Sequence, residues 1–159
     1  MSTTDTRATQ QLKLFLRADP EPGTEAAKQE AVNRLTELTR SGHIDDYEVH
    51  VWGKELRTDG PLASTDYQQR ILSHVREFQA WAERNGYTLN GAFDRRNVSS
   101  SLAGESFTVL SLPTLCLGVY EGNELTDVYP CHDGEQSCTV TEYLESFEET
   151  DVARYASQV

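Results

Sequence analysis

Hydrophobic positions recur along this chain in two periods, and the switches between them mark out its elements. Leu12, Leu14 and Leu16 alternate with Lys13, Phe15 and Arg17, the period of a strand. Asp19-Pro20-Glu21-Pro22-Gly23 has the chemistry of a turn. Thr24 is placed to cap a helix whose buried stripe is Ala27, Ala31, Leu35 and Leu38, with Val32 beside it. Glu25 suits the positive end of that helix, and Arg40 followed by Gly42 suits its end. Tyr47, Val49 and Val51 alternate with Glu48, His50 and Trp52 as a second strand, and residues 53–64 connect onward. Thr65 and Gln68 form a capping-box pair ahead of a second helix carrying Ile71, Val75, Phe78 and Ala82 on one face, with Gly86 past its end.

Phe93 to Ser100 is polar and compatible with an edge strand. Phe107–Leu112 and Leu115–Tyr120 are the most apolar segments, broken by Pro113, and read as central strands covered on both sides. Glu121-Gly122-Asn123 is a short turn into an antiparallel strand, Glu124–Tyr129. After a polar loop, Thr139 and Glu142 form another capping-box pair, and Val140, Tyr143, Leu144 and Phe147 an amphipathic helix. The order β-α-β-α-(β)-β-β-β-α predicts an α/β architecture of three layers. A mixed sheet is expected, with helices on both faces and a parallel, right-handed start. One domain is expected over residues 11–150, between loose tails at 1–10 and 151–159.

Composition changes the picture in one respect. Among 159 residues, 26 acidic side chains face 14 basic ones, a formal charge of −12, and only Lys13, Lys28 and Lys54 are lysines. Such a charge repels itself at low salt and is screened when the Debye length falls to about 3 Å at 1 M. The balance points to a halophilic, acidic protein of a salt-loaded cytoplasm, and so to the solvent before any partner. No apolar run is long enough to span a membrane. With a polar start and no apolar leader segment, no secretory signal is expected, and three cysteines are then expected as reduced thiols.

Candidate chemistry is sparse. Cys131, His132, Asp133 and Cys138 are the densest group of metal-ligand types, with Cys131, His132 and Cys138 the candidate zinc ligands. A polar loop with two partly buried thiols explains the same residues, and a Cys131–Cys138 bridge is sterically possible but disfavoured in a reducing compartment. Cys116 is the candidate reactive thiol, although it lies in an apolar strand and needs a partner to lower its pKa. Arg95-Arg96, with Lys54 and Arg57, is the one basic concentration. Phosphate-binding glycine loops are missing from the sequence. No catalytic residue and no cofactor is assigned.

Two resemblances bear on function. Leu112-Pro113-Thr114-Leu115-Cys116-Leu117 followed by Tyr120-Glu121-Gly122-Asn123-Glu124-Leu125, in this element order, resembles the C-terminal half of thioredoxin-like domains. The resemblance implies a cis proline at Pro113 and a Cys-x-x-Cys at the first helix. Ala18 to Gly23 holds no cysteine there, so a thioredoxin-like chain of this kind lacks the redox site. The whole chain also resembles small acidic haloarchaeal proteins labelled helix-turn-helix domain proteins. The pieces are Ser41-Gly42-His43-Ile44, Tyr47 to Gly53, Asn97 to Ser101, Leu112-Pro113 and Val128 to Gly134. This label implies transcription regulation, with Lys28, Arg34, Arg40, Lys54 and Arg57 as the surface a winged helix-turn-helix would turn to DNA. The expected function is a non-catalytic, cytoplasmic binding or regulatory protein with a protein partner, a second copy of the chain included. The alternatives are a DNA-binding regulator and a thioredoxin-like redox or thiol-dependent protein.

Overall fold

The computed structural model describes residues 9–18, 23–58, 65–89, 92–100 and 104–147. The turn at 19–22, the loop tip at 59–64 and the stretches assigned to tails at 1–8 and 151–159 lie outside the described residues. Strand β1 (Gln10–Arg17) leads to helix α1 (Thr24–Arg40), strands β2 (Asp46–Trp52) and β3 (Glu55–Arg57), and helix α2 (Asp66–Asn85). Strands β4 (Arg95–Ser100), β5 (Glu105–Ser111), β6 (Leu115–Glu121) and β7 (Glu124–Tyr129) follow, then a ribbon of β8 (Cys131–His132) and β9 (Ser137–Cys138). Residues 140–147 form helix α3.

The α/β class holds, with helices on both faces, but the strands divide. One sheet has the order β2-β1-β6-β7, with β1 parallel to β2 and antiparallel to β6, and β6 antiparallel to β7. A second, antiparallel sheet has the order β3-β5-β4. The two apolar segments, both expected as central strands, are central strands of different sheets. Pro113, between them, carries no N–H for a ladder and sits where the chain passes from one sheet to the other.

Alternation along β1 sorts the core. Leu12 and Leu14 pack with Ala31, Leu35 and Leu38 of α1, Leu117 and Val119 of β6, and Val140 and Leu144 of α3. Phe15 points to the other face and packs with Trp52, with Val75 and Phe78 of α2, and with Leu56 and Leu110 of the second sheet. That opposite pointing follows from the two-residue period of a strand. Along β2 the sense is the reverse of what apolarity suggests: Trp52 is fully buried while Val49 and Val51 are exposed.

The termini of the helices follow their caps. Thr65 accepts the Gln68 N–H at 3.2 Å, and Gly86 closes α2 in the left-handed region at φ 76. The Thr139 hydroxyl accepts the Glu142 N–H at 3.1 Å and donates to its carboxylate at 3.2 Å. At α1 the cap is Gly23, not Thr24: it is left-handed at φ 88 with no side-chain bond, and Thr24 is already helical. The β6–β7 hairpin turns on Gly122 at φ 64, with Glu121 and Glu124 paired across it.

Candidate functional site

A cavity of about 460 Å³ opens where β1 ends, between the 111–114 segment and the β8–β9 ribbon. Ligand crevices commonly lie outside the carboxyl ends of strands, and Arg17 is the last residue of β1. Hydrogen bonds fix the 111–114 wall on both sides. The N–H of Arg17 donates to the Thr114 carbonyl at 3.0 Å, and the Leu112 N–H to the Lys54 carbonyl at 2.9 Å. The Trp52 indole N–H donates to the Pro113 carbonyl at 3.0 Å, and the Arg17 guanidinium to the Leu112 carbonyl at 3.3 Å. Leu89, Ala92, Leu112 and Pro130 give the cavity apolar surface, while Thr88, Ser111, Thr114 and His132 give it polar groups.

This segment is also where the cis peptide was expected. Among the described residues the cis bond is Tyr129–Pro130, so Leu112–Pro113 is trans. Pro113 lines the cavity in an extended wall held by the four hydrogen bonds just named.

The ribbon forms the opposite wall. Cys131 pairs with Cys138 and His132 with Ser137. The Asp133 carboxylate accepts the N–H groups of Glu135 at 3.0 Å and Gln136 at 2.8 Å, which fixes the turn and holds its pKa below the usual carboxylate range. Among the described residues no three His, Cys, Asp or Glu side chains converge to hold a metal. Cys131, His132 and Cys138, the candidate zinc ligands, form no such group. Burial and the neighbouring Cys138 push the Cys131 thiol up to about 11. Burial, then Glu142 and Asp127, raise Cys138 as well.

Cys116 is fully buried in β6, and burial drives its pKa far up. A neutral thiol enclosed by core side chains is no nucleophile. It packs in the core cluster with Phe15, Phe78 and Tyr120.

The seven basic candidates separate into two sets. Lys28, Arg34 and Arg40 lie six residues apart on α1, so successive side chains are about 240° apart around the axis and face three directions. Lys28 is also buried, at 7% exposure, with its ammonium donating to the Arg17 carbonyl at 2.6 Å and paired with Glu25 at 3.1 Å. Arg34 pairs with Glu30 at 3.5 Å. On the second sheet, Arg57, Val109 and Arg96 are in register across β3, β5 and β4 and share the outer face. The Arg57 guanidinium lies 3.9 Å over the Phe107 ring, and Arg96 pairs with Glu55 at 2.6 Å. Arg95, one residue earlier in the pleat, points to the other face, and Lys54 is exposed ahead of β3. Of the seven, the fold gathers two.

A third cluster surrounds Phe15. His50 stacks on it at 4.9 Å and 17°, Trp52 at 4.9 Å and 26°, and His74 meets it edge-on at 5.0 Å. Burial, then the nearby His50 and Lys13, lower the pKa of His74. These are core contacts that a sequence reading of dispersed histidines does not reveal. Arg17, Thr114 and Phe107 were likewise not singled out. The sequence signal for Arg17 was its place at the end of the first strand, ahead of a proline-rich turn.

Between α1 and α2 the chain forms β2 and β3, whereas a DNA-binding helix-turn-helix joins its helices by three or four residues. No helix among the described residues is long and apolar enough to cross a membrane. No match was found among curated proteins or solved structures. The family model described as Helix-turn-helix domain matches residues 4–152, and the chain belongs to that family.

Proposed function

We propose that this protein is a non-catalytic regulatory binding module on a thioredoxin-like core, and that a segment of a partner protein docks in the cavity at the end of β1. The carrying observation is the cavity itself. It is open and about 460 Å³, with apolar side chains interleaved with hydroxyls and Arg17 at its edge. That mixture suits an extended peptide, and the suppressed thiols along it do not suit turnover. The strand order β2-β1-β6-β7 and the alternation of helices across that sheet support the thioredoxin-like reading. The segment Ala18 to Gly23, where that family carries its cysteines, has none. The charge of −12 supports a salt-loaded cytoplasm as its setting.

A second reading follows from the family's description, and one observation favours it. Arg57, Arg96 and Phe107 share the outer face of β3-β5-β4, and guanidinium with aromatic groups can meet nucleic acid. Against it stand the Glu55 partner of Arg96 and the net charge, which repels a polyanion. Fluorescence anisotropy with labelled duplex DNA over a KCl series separates the two. The cavity reading expects no saturable binding. Saturable binding that disappears in Arg57→Ala/Arg96→Ala would establish the second.

A further inference from the structure

The two cysteines of the β8–β9 ribbon are register partners, and the hydrogen bonds beside them fix how they face. Both backbone groups of His132 are engaged by Thr88: its carbonyl accepts at 2.8 Å and its N–H donates at 3.2 Å. They point away from β9. Alternation along β8 turns the backbone groups of Cys131 toward Cys138, so this is a hydrogen-bonded pair, with Cα atoms about 5.5 Å apart. A disulfide takes Cα separations of roughly 4.4–6.8 Å and Cβ separations of about 3.5–4.5 Å; opposed side chains of a hydrogen-bonded pair start near the wide end of about 4.5–5.5 Å, so closure has to draw the two short strands together. Directly opposed side chains leave an antiparallel ribbon on the same face; neither cysteine is in a disulfide, and the Cys138 thiol donates to the Thr139 carbonyl at 3.7 Å, a contact that closure would give up. The Asp133 turn holds the register.

We propose that Cys131 and Cys138 are a reversible dithiol–disulfide pair that staples this ribbon, oxidised by exchange with a low-molecular-weight disulfide. Cys138, the less buried of the two, attacks one sulfur of the small disulfide as its thiolate. The external S–S bond breaks, the released thiolate takes up a proton, and a mixed disulfide remains on Cys138. Cys131, as its thiolate, then attacks the Cys138 sulfur and displaces the second small thiol. Two protein S–H bonds and one external S–S bond become one protein S–S bond and two small thiols. The protein loses two electrons and the small disulfide gains them.

The surroundings make this pair a slow lock and not a shuttle. Burial and the carboxylates of Asp127, Asp133 and Glu142 keep the thiols protonated at neutral pH. High-pKa thiols are also poor leaving groups, so the bridge resists exchange once formed. The lock sits where it can be read out. Pro130, Cys131, His132, Ser137, Cys138 and Thr139 all line the large cavity, and Thr139 caps α3. Stapling the ribbon rigidifies one cavity wall. Its effect on a partner rests on the cavity reading, whereas the bridge itself does not.

The test is incubation of the full-length protein with 2-hydroxyethyl disulfide in molar KCl at mildly alkaline pH, followed by intact-mass analysis and peptide mapping. The wild type is expected to lose the mass of two hydrogens without an adduct, with the 131 and 138 peptides linked, Cys116 free, and full reversal by dithiothreitol. Below the thiol pKa the rate should rise about tenfold per pH unit, with the thiolate fraction. Cys131→Ser should stop at the mixed disulfide on Cys138. A persistent adduct on the wild type, a bridge to Cys116, or a wild type that stays reduced would overturn the proposal. The readout is mass, so its failure leaves the cavity reading standing, and failure of that reading leaves the bridge.

Discussion

The indole of Trp52 and the carbonyl of Pro113 are joined by a hydrogen bond of 3.0 Å. It ties the end of the edge strand β2 to the wall of the cavity and satisfies both groups inside the protein. Trp52 is fully buried and stacks on Phe15, so Trp52→Phe keeps most of the apolar contact and removes the donor. The bond is part-buried, and the net loss of such a hydrogen bond costs about 0.5–1.5 kcal/mol. Urea denaturation in high salt should show that loss as a lower midpoint at unchanged slope.

Gly118 lies in the middle of β6, and a Cβ there would meet ring carbons of Tyr120 at 3.1 Å and Phe78 at 3.2 Å. Replacement of a strand glycine by alanine normally gains from the unfolded chain. Here overpacking of two core rings should reverse the sign, and Gly118→Ala is expected to destabilise by about 1–3 kcal/mol. Chemical denaturation would read this directly.

The Thr139 hydroxyl accepts the Glu142 N–H at the start of α3. Thr139→Ala should cost about 1 kcal/mol, whereas Thr139→Ser should recover most of it. A far-UV circular dichroism melt of the two variants beside wild type would check both.

His74 sets a pH dependence with a definite sign. Its folded pKa is lowered from 6.5, by burial first and then by His50 and Lys13. Protonation therefore favours the unfolded chain, and the stability held at neutral pH declines as pH falls below 6.5 toward the lowered value. Asp127 works in the opposite sense: burial and Glu121 raise its pKa, so its contribution favours the fold at acid pH. Denaturation midpoints across this range should fall with acidification, and His74→Gln should flatten the fall. An identical slope in His74→Gln would assign the effect to other groups.

The sequence made the helices legible because caps and apolar stripes are local: Thr65, Gly86 and Thr139 act where their chemistry places them. The β6–β7 hairpin was legible for the same reason. The division into two sheets was not, because strand pairing is non-local and a Leu-rich segment reads the same in either sheet. β3 has three residues and β8 and β9 two each, too short to show a period. The cavity could not be read either. Arg17, Thr88, Ser111 and His132 meet only through tertiary structure. The six-residue spacing of the α1 cations turns them apart around the axis, while the inward turn of the Lys28 ammonium to the Arg17 carbonyl is set by tertiary structure.

The charge carries its own expected outcome. With a formal −12, self-repulsion should ease as KCl approaches molar levels and the Debye length shrinks to about 3 Å. Stability measured from low to high KCl should rise, and a flat curve would remove the halophilic reading.

Partner binding at the cavity is read out by crosslinking capture from cells. The captured DNA would be sequenced and the captured proteins identified in parallel, for wild type, for Ser137→Trp at the cavity rim, and for Arg57→Ala/Arg96→Ala. The account expects one dominant protein that is captured by wild type and by the arginine variant, is lost in Ser137→Trp, and comes without discrete DNA peaks. Discrete DNA peaks that persist in Ser137→Trp and vanish in the arginine variant would contradict it.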